Sequence, residues 1–192
     1  MIWLLDNRDS FVFNLEQAFR GFGFRTRTTR SDRTNPEEIF SAAPRALVLS
    51  PGPGRPAEAG CLLQAIAEAP PDLPLLGVCL GAQALIEQSG GHLRLCKEVF
   101  HGRTSLIHHR GDGLFRGFPQ PFEVCRYHSI AADPETLPSC WKVEAWNYDA
   151  DGTQIPQGIR HRELPRIGFQ FHPESFRTPQ GIELLRRVFE IL

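Results

Sequence analysis

The segment 75–83, with the sequence LLGVCLGAQ, constrains this chain more than any other. Cys79 ends an apolar run and has Gly77 and Gly81 two residues away on either side. This is the Gly-x-nucleophile-x-Gly pattern of a sharp turn from a β-strand into an α-helix. Glycines are needed there because side chains on either flank would collide with neighbouring strands. The pattern therefore predicts a strand that ends at the cysteine and a helix that follows at once.

A cysteine at such a turn can act as a nucleophile. The N-terminus of the following helix favours thiolate over thiol and offers backbone N–H groups to an oxyanion. A cysteine in an apolar run is otherwise usually a small core residue. The choice between these two roles for Cys79 depends on whether a base and an orienting acid occur elsewhere in the chain.

The composition excludes several classes of protein. With 192 residues, 41% hydrophobic and 22% charged, we expect one globular domain spanning residues 1–192. A net charge of −1 gives no electrostatic case for binding nucleic acid or an acidic membrane. No apolar run approaches membrane-spanning length, and residues 1–6 lack the basic region of a signal peptide. The five cysteines are widely spaced and odd in number, which argues against disulfides or a zinc site and for a cytoplasmic protein.

Strand and helix patterns alternate along the first half of the chain. Strands are predicted at 2–5, 24–28, 46–49 and 75–78. Helices are predicted after Ser10 as N-cap, after Asn35 with Pro36 at its first position, and at 58–68 and 82–88. This order indicates an α/β fold, with an open, mostly parallel sheet that is flanked by helices on both faces.

The second half changes character. Predicted strands with short connections lie at 93–96, 104–107, 122–124, 143–146 and 167–171, and we expect antiparallel additions at one edge of the sheet. Asp149, Asp151 and Gly152 suggest a surface turn. A last helix is predicted with Thr178 as its cap, running to Leu192.

The segment 168–175, GFQFHPES, supplies the partners that a nucleophile needs. Residues two apart on an extended chain project to the same side, and Pro173 biases His172 toward the extended region. Glu174 can therefore orient the imidazole of His172. A Cys–His pair with a third orienting group is the generalised triad for acyl transfer.

A third element, Ser50-Pro51-Gly52-Pro53-Gly54, follows a predicted strand directly. Alternating Pro and Gly make a rigid turn whose backbone N–H groups are exposed. Such a loop can donate to an oxyanion, with the N–H of Leu80 as a second donor. Each of the three elements follows a predicted strand, and ligands collect at strand ends in open α/β sheets.

Together these motifs resemble the class I (triad) glutamine amidotransferases, a family with a flavodoxin-like fold. More narrowly, they resemble the small (glutaminase) subunit, or component II, that anthranilate synthase and aminodeoxychorismate synthase share. The segments that carry the resemblance cover nearly the whole chain. They are Leu5-Asp6-Asn7 with Asp9-Ser10-Phe11, 50–54 with Glu58-Ala59-Gly60, 77–83, His101-Gly102-Arg103-Thr104-Ser105, Arg126-Tyr127-His128-Ser129-Ile130, 158–162 and 171–175.

The resemblance implies a set of roles. Cys79 attacks the side-chain amide of L-glutamine, His172 moves the proton and Glu174 orients His172. The N–H groups of Gly54 and Leu80 hold the oxyanion. The substrate is bound by Gly52, Pro53, Gly54, Gln83, Ser129 and Ile130. The ammonia passes to a larger, chorismate-using subunit in a heteromer that serves folate or tryptophan biosynthesis. No cofactor is expected in this chain, and Mg²⁺ is expected only in the partner.

Three residues depart from the family pattern. Arg8, Ala82 and Arg103 stand where the family usually has Tyr, His and Lys. Arg8 and Ala82 are expected near the partner-facing side, so they bear on which synthase the chain serves. His101, His108 and His109 lack the acidic company and spacing of a metal site, and we expect them at the surface or facing the partner.

Other functions stay open at this point. One is an amidotransferase subunit of a specialised chorismate pathway. Another is a catalytically silent regulatory subunit that binds glutamine without turnover, which the intact Cys79, His172 and Glu174 disfavour. A hydrolase of γ-glutamyl peptides is disfavoured by the motif at 126–129.

Overall fold

The computed structural model of the protein describes residues 1–98 and 102–191. His101 and Leu192 lie outside the described residues. The strands are β1 (Ile2–Asp6), β2 (Thr26–Arg30), β3 (Ala46–Leu49), β4 (Leu75–Val78), β5 (Leu93–Leu95), β6 (Arg103–His109), β7 (Phe122–Arg126), β8 (Ile130–Ala132), β9 (Trp141–Tyr148), β10 (Gln154–His161) and β11 (Arg166–Phe169). The α-helices are α1 (Val12–Gly21), α2 (Pro36–Ser41), α3 (Leu62–Ala67), α4 (Leu80–Gln88) and α5 (Gly181–Ile191).

A nine-stranded sheet forms the centre of the molecule, in the order β2-β1-β3-β4-β11-β10-β9-β6-β7. The strands from β2 to β11 pair in parallel, and those from β11 to β7 pair antiparallel. Strands β5 and β8 form a separate antiparallel pair. The predicted fold class, a mostly parallel sheet with antiparallel additions at one edge, is confirmed.

Two apolar cores cover the two faces of the parallel strands. Alternate residues of β1 belong to opposite cores, Ile2 and Leu4 to one and Trp3 and Leu5 to the other, because successive side chains of a strand point to opposite faces. Helices α1 and α5 cover the first face, while α2, α3 and α4 cover the second. Within the described residues, no helix is both long and apolar enough to cross a membrane.

The start of α1 differs from its prediction. Ser10 does not cap the helix, which begins at Val12. The carboxylate of Asp9 instead accepts a hydrogen bond from the N–H of Phe11 at 2.8 Å, so the preceding turn is closed by Asp9. Phe11 thereby stays outside the helix, and its ring packs against Tyr127 and His172 with centroids 5.1 and 5.2 Å apart.

Other boundaries also differ. Strand β2 begins at Thr26 rather than residue 24, since Phe24 packs on Phe189 of α5 instead of pairing in the sheet. The helix predicted at 58–68 is a short 3₁₀ turn, Pro56–Glu58, followed by α3. Strands β8 and β10 were not predicted. The turn at 149–152 joins β9 to β10, and its residues Asp151 and Gly152 are exposed as predicted, whereas Asp149 is buried and accepts hydrogen bonds from the backbone N–H groups of Lys97 and Glu98.

Candidate active site

The nucleophile turn places Cys79 between β4 and α4 in a strained backbone conformation. Its φ is 53° and its ψ −105°, a combination that residues other than glycine rarely adopt. A Cβ added to Gly77 would lie 2.6 Å from the backbone of Gly81, and one added to Gly81 would lie 2.2 Å from the carbonyl oxygen of Leu49. Both glycines are therefore required by close backbone packing. The N–H of Cys79 donates to the carbonyl of Phe169 at 2.7 Å, which ties the turn to β11.

His172 and Glu174 follow β11 and form a buried pair. Nδ1 of His172 donates to Oε1 of Glu174 at 2.6 Å, and both side chains are almost fully enclosed. Burial opposes protonation of the imidazole, but the charge of Glu174 and hydrogen bonding with Cys79 and Glu174 outweigh it, so the pKa of His172 is raised well above its ordinary value. Apart from its interaction with Cys79, Nε2 has no hydrogen-bond partner among the described residues, which leaves it available for the thiol proton.

Thr178 braces the loop that carries His172. Its hydroxyl donates to the carbonyl of His172 at 2.7 Å and accepts from the N–H of Cys125 at 3.0 Å. The N–H of His172 in turn donates to the carbonyl of Cys125 at 3.0 Å. The prediction of Thr178 as a helix cap is wrong, because α5 begins only at Gly181 and the hydroxyl is used by the loop.

The Pro-Gly loop after β3 lies beside the nucleophile. A Cβ on Gly52 would meet Leu80 Cδ2 at 2.6 Å and Asn7 Cβ at 2.7 Å, so the loop can approach this closely only with glycine. Asn7 fixes its start, since its N–H and Nδ2 donate to Oγ and O of Ser50, each at 2.9 Å. Gly54 has a φ of +74° and is followed by an N–H of Arg55 that donates to Glu58 at 3.1 Å.

All six residues predicted to bind substrate line one cavity of about 220 Å³ together with the nucleophile. That volume is below the roughly 300–1,000 Å³ of sites for drug-sized ligands and suits a small molecule. The lining residues are Gly52, Pro53, Gly54, Cys79, Gln83, Tyr127, His128, Ser129 and Ile130. A second cleft of about 360 Å³ shares Cys79 and is lined by His172, Phe11 and Asp9 among others. Leu80 is buried and contributes no side chain to either space.

Buried polar side chains hold the wall at 128–130. Arg126 Nε donates to His128 Nε2 at 3.0 Å, and burial lowers the pKa of Arg126 to about 10. Burial and the charge of Arg126 hold the pKa of His128 well below its ordinary range, so His128 is the neutral acceptor of this bond. The motif at 126–130 thus contains a buried hydrogen bond between Arg126 and His128 next to the residues at 127–130 that line the cavity.

Gln170 is a site residue that the motifs did not single out. It is buried between Gln83, whose Nε2 donates to its Oε1 at 3.1 Å, and Cys79, whose sulfur accepts from its Nε2 at 3.8 Å. Gln83 Nε2 also donates to the carbonyl of Ile130 at 2.8 Å. The position two residues before His172, on the same side of an extended chain, was the available signal.

The residues that depart from the family pattern lie in different environments. Arg8 has a φ of +64° and an exposed side chain that pairs with Asp32 at 2.6 Å. Arg103 is also exposed. Ala82 is buried. A Cβ added to Gly168 of β11 would lie only 3.1 Å from the Cβ of Ala82. Ala82 is therefore not itself exposed, since α4 packs this residue against the sheet, and its place near the partner-facing side stays a prediction.

The predicted surface histidines also divide. His108 is exposed, but His109 is buried, with Nε2 2.7 Å from the carbonyl of Pro119 and its ring stacked on Phe115. Packing against the 3₁₀ turn at 113–115 explains why His109 is not at the surface. In residues 1–98 and 102–191 no group of three or more His, Cys, Asp or Glu side chains is placed to hold a metal ion.

Comparison with known proteins decides the family. Residues 3–192 match the family described as glutamine amidotransferase class-I. This chain belongs to that family.

Relatives of this amidotransferase are similar over almost their full lengths. It is 45% identical to anthranilate synthase component 2 of Pseudomonas aeruginosa, covering 96% of this chain and 92% of that protein. It is 44% identical to aminodeoxychorismate synthase component 2 of Escherichia coli, covering 96% and 97%. A solved glutamine amidotransferase from Thermotoga maritima shares the fold, with a TM-score of 0.74 at 18% identity over 98% of this chain and 96% of that one.

Proposed function

We propose that this chain is the glutaminase subunit of a chorismate-using synthase and hydrolyses L-glutamine to glutamate and ammonia. The observation that carries the proposal is the placement of Cys79, on its strained turn, at the junction of the cavity lined by Gln83 and the cleft lined by His172. The buried Glu174 completes a Cys–His–Glu arrangement. The relatives are named as component 2 of anthranilate synthase and of aminodeoxychorismate synthase, which supports the part of the proposal that concerns the synthase.

The chemistry would proceed through a thioester. Nε2 of His172 takes the thiol proton as Cys79 Sγ attacks the amide carbon of glutamine, giving a tetrahedral oxyanion that the N–H groups of Gly54 and Leu80 hold. The C–N bond then breaks as the imidazolium returns the proton to the leaving ammonia. Water attacks the thioester, its proton passes to His172, and collapse releases glutamate and the Cys79 thiol.

Glu174 has an electrostatic part in this sequence. Its charge favours the imidazolium form of His172, and its hydrogen bond to Nδ1 leaves Nε2 as the nitrogen that handles protons. The carboxylate does not itself need to move a proton. Gln83, Ser129 and Ile130 would bind the α-amino and α-carboxylate groups of glutamine, with the backbone of Gly52 and Pro53 closing the other side.

We further propose that the ammonia passes to a separate large subunit that adds it to chorismate, and that any Mg²⁺ belongs to that subunit. The product is either anthranilate or aminodeoxychorismate. Identities of 45% and 44% to relatives of the two kinds give no preference. Reconstitution with an anthranilate-forming and an aminodeoxychorismate-forming large subunit, each supplied with glutamine, distinguishes the products by their fluorescence and chromatography.

The nucleophile is tested by Cys79→Ser in the reconstituted synthase. We expect glutamine-dependent product formation to fall by at least about 10³-fold, because a serine hydroxyl is far harder to deprotonate than a thiol. Ammonia-dependent formation should be unchanged, since the large subunit is intact. Cys140→Ser is the matched control because this free cysteine lines neither space. Glutamine-dependent turnover that survives in Cys79→Ser would refute the assignment.

A further inference from the structure

Two buried amide side chains connect the substrate wall to the nucleophile. Nε2 of Gln83 donates to the carbonyl of Ile130 at 2.8 Å and to Oε1 of Gln170 at 3.1 Å. Nε2 of Gln170 lies 3.8 Å from Sγ of Cys79, within hydrogen-bonding reach of sulfur. Gln83 and Gln170 are 3% and 5% exposed, so water does not compete strongly for these groups.

The orientation of both amides follows from one backbone group. A carbonyl oxygen can only accept, so the carbonyl of Ile130 requires the NH₂ of Gln83 on its side. The same NH₂ meets Gln170, which must therefore present its oxygen to Gln83. That choice directs the NH₂ of Gln170 toward Cys79. The donor at the sulfur is thus set by the chain of bonds.

We propose that Gln170 is a catalytic residue whose side-chain N–H stabilises the thiolate of Cys79; the proposal rests on the glutaminase function proposed above. A hydrogen bond to the charged form of a group favours that form, and a charge-assisted bond is stronger than a neutral one. Gln170 therefore complements His172, which removes the thiol proton, by holding the negative sulfur that remains.

The same chain links the sulfur to the bound substrate. Gln83 makes both of its hydrogen-bond donations through Nε2, so its Oε1 remains an acceptor. Gln83 lines the 220 Å³ cavity, where a substrate could donate to this oxygen. The α-ammonium group of glutamine is a donor that this oxygen can take. Hydrogen bonds in a chain polarise one another, so an ammonium at Gln83 strengthens the donation from Gln170 to Cys79.

Two substitutions of Gln170 distinguish the effect of its N–H donor at Cys79 from the effect of its oxygen at Gln83. Gln170→Glu keeps an oxygen for Gln83 and replaces the donor at Cys79 with a second oxygen. Gln170→Met keeps the length of the side chain but has neither group. Gln157→Met is the matched control, because Gln157 is a buried glutamine of the neighbouring β10 whose amide bonds to Asn147 and not to the nucleophile.

The measurement is the rate at which iodoacetamide alkylates Cys79 near pH 7, followed on the Cys79 peptide by mass spectrometry. Thiolates react and thiols do not. We expect the rate to fall about tenfold or more in Gln170→Glu and several-fold in Gln170→Met, and to stay within about twofold of the unaltered protein in Gln157→Met. Glutaminase kcat of Gln170→Glu should fall with it, while KM changes little because the Gln83 contact is kept.

Alkylation of both Gln170 variants within about twofold of the unaltered protein would overturn the proposal, as would an equal slowing in Gln157→Met. If one Gln170 variant does not fold, as judged by circular dichroism, the other decides. The two proposals fail separately. If Gln170 does not stabilise the thiolate, the unaltered synthase still hydrolyses glutamine. If the synthase does not hydrolyse glutamine, the alkylation rates still report whether Gln170 affects the ionisation of Cys79.

Discussion

Cys79 combines a strained backbone with a thiol that lines two open spaces. A residue held at a φ of 53° and a ψ of −105° costs of order 1–3 kcal/mol, and it persists only where its surroundings fix it. The contact between Gly77 and Gly81 and the bond to Phe169 supply that constraint. The result is a thiol that is 7% exposed and belongs to the apolar core, and yet lines both open spaces.

The pair of His172 and Glu174 makes stability depend on pH in a definite direction. The pKa of His172 is raised in the folded protein, so the pair contributes stability fully below the unfolded value of about 6.5 and loses it as pH rises through the folded pKa. In Glu174→Gln, the charge of Glu174 no longer opposes the effect of burial on the imidazole, and the pKa of His172 should fall.

We therefore expect Glu174→Gln to lower the free energy of unfolding by about 3 kcal/mol near pH 6 and by clearly less near pH 9. Urea denaturation at the two pH values measures this. Glutaminase activity should fall at least about a hundredfold because the base is no longer oriented and charged correctly. An equal loss of stability at both pH values would contradict the assigned direction of the pKa shift.

At the scale of elements, the loops that follow β3, β4 and β11 determine the site. Their strands are neighbours in the order β3-β4-β11 and run parallel, so their carboxyl ends meet at one edge of the sheet. Strand β7 is connected to this edge of the sheet by the hydrogen bonds that Cys125 makes with His172 and Thr178. Thr178 also donates to the carbonyl of His172. These bonds join an antiparallel edge strand to the loop that carries the base.

Thr178→Val tests this brace. The substitution keeps the shape of the side chain but leaves the N–H of Cys125 without its partner, and leaves the carbonyl of His172 only the longer bond from the N–H of Ser175 at 3.3 Å. We expect a loss of about 2 kcal/mol in the free energy of unfolding and a reduced kcat. Thr178→Ser, which retains the hydroxyl, should keep most of both. A Val variant as stable and active as the Ser variant would show that the bonds do not brace the loop.

The elements were predicted where a local signal existed. Asn35 caps α2 as expected, with its side chain accepting from the N–H of Glu38 at 2.8 Å. Strands β3 and β4 match their predictions because both are short, buried apolar runs. Strand β10 was missed because its sequence, QIPQGIRH, contains Pro156 and Gly158 and lacks alternation, and its register with β9 shifts at Gly158.

At the scale of the whole molecule, the grouping of Cys79, His172 and Glu174 could be predicted, and the residues that support this group could not. His172 and Glu174 are two residues apart, and a short motif marks Cys79, so local sequence was sufficient. Gln170 contacts Cys79 across 91 positions, and Thr178 contacts Cys125 across 53. Contacts at such separations depend on the assembled sheet, because polar residues of this kind carry no pattern that marks their partner.

The proposed function has two parts, the release of ammonia from glutamine and the use of that ammonia. The described residues form a site that would release ammonia, and the relatives named for two different synthases are equally similar to it. Under the proposed function, the pathway is decided by the large subunit with which the chain assembles, while the amide hydrolysis belongs to this chain.

The proposed mechanism requires that the γ-glutamyl group of glutamine be attached to Cys79 during turnover. Acid quenching of the reconstituted synthase during steady-state turnover of isotopically labelled glutamine, followed by peptide mass spectrometry, tests it directly. We expect a labelled γ-glutamyl thioester on the peptide containing Cys79 and none in Cys79→Ser. Label on another residue, or sustained ammonia release with Cys79 unlabelled throughout, would contradict it.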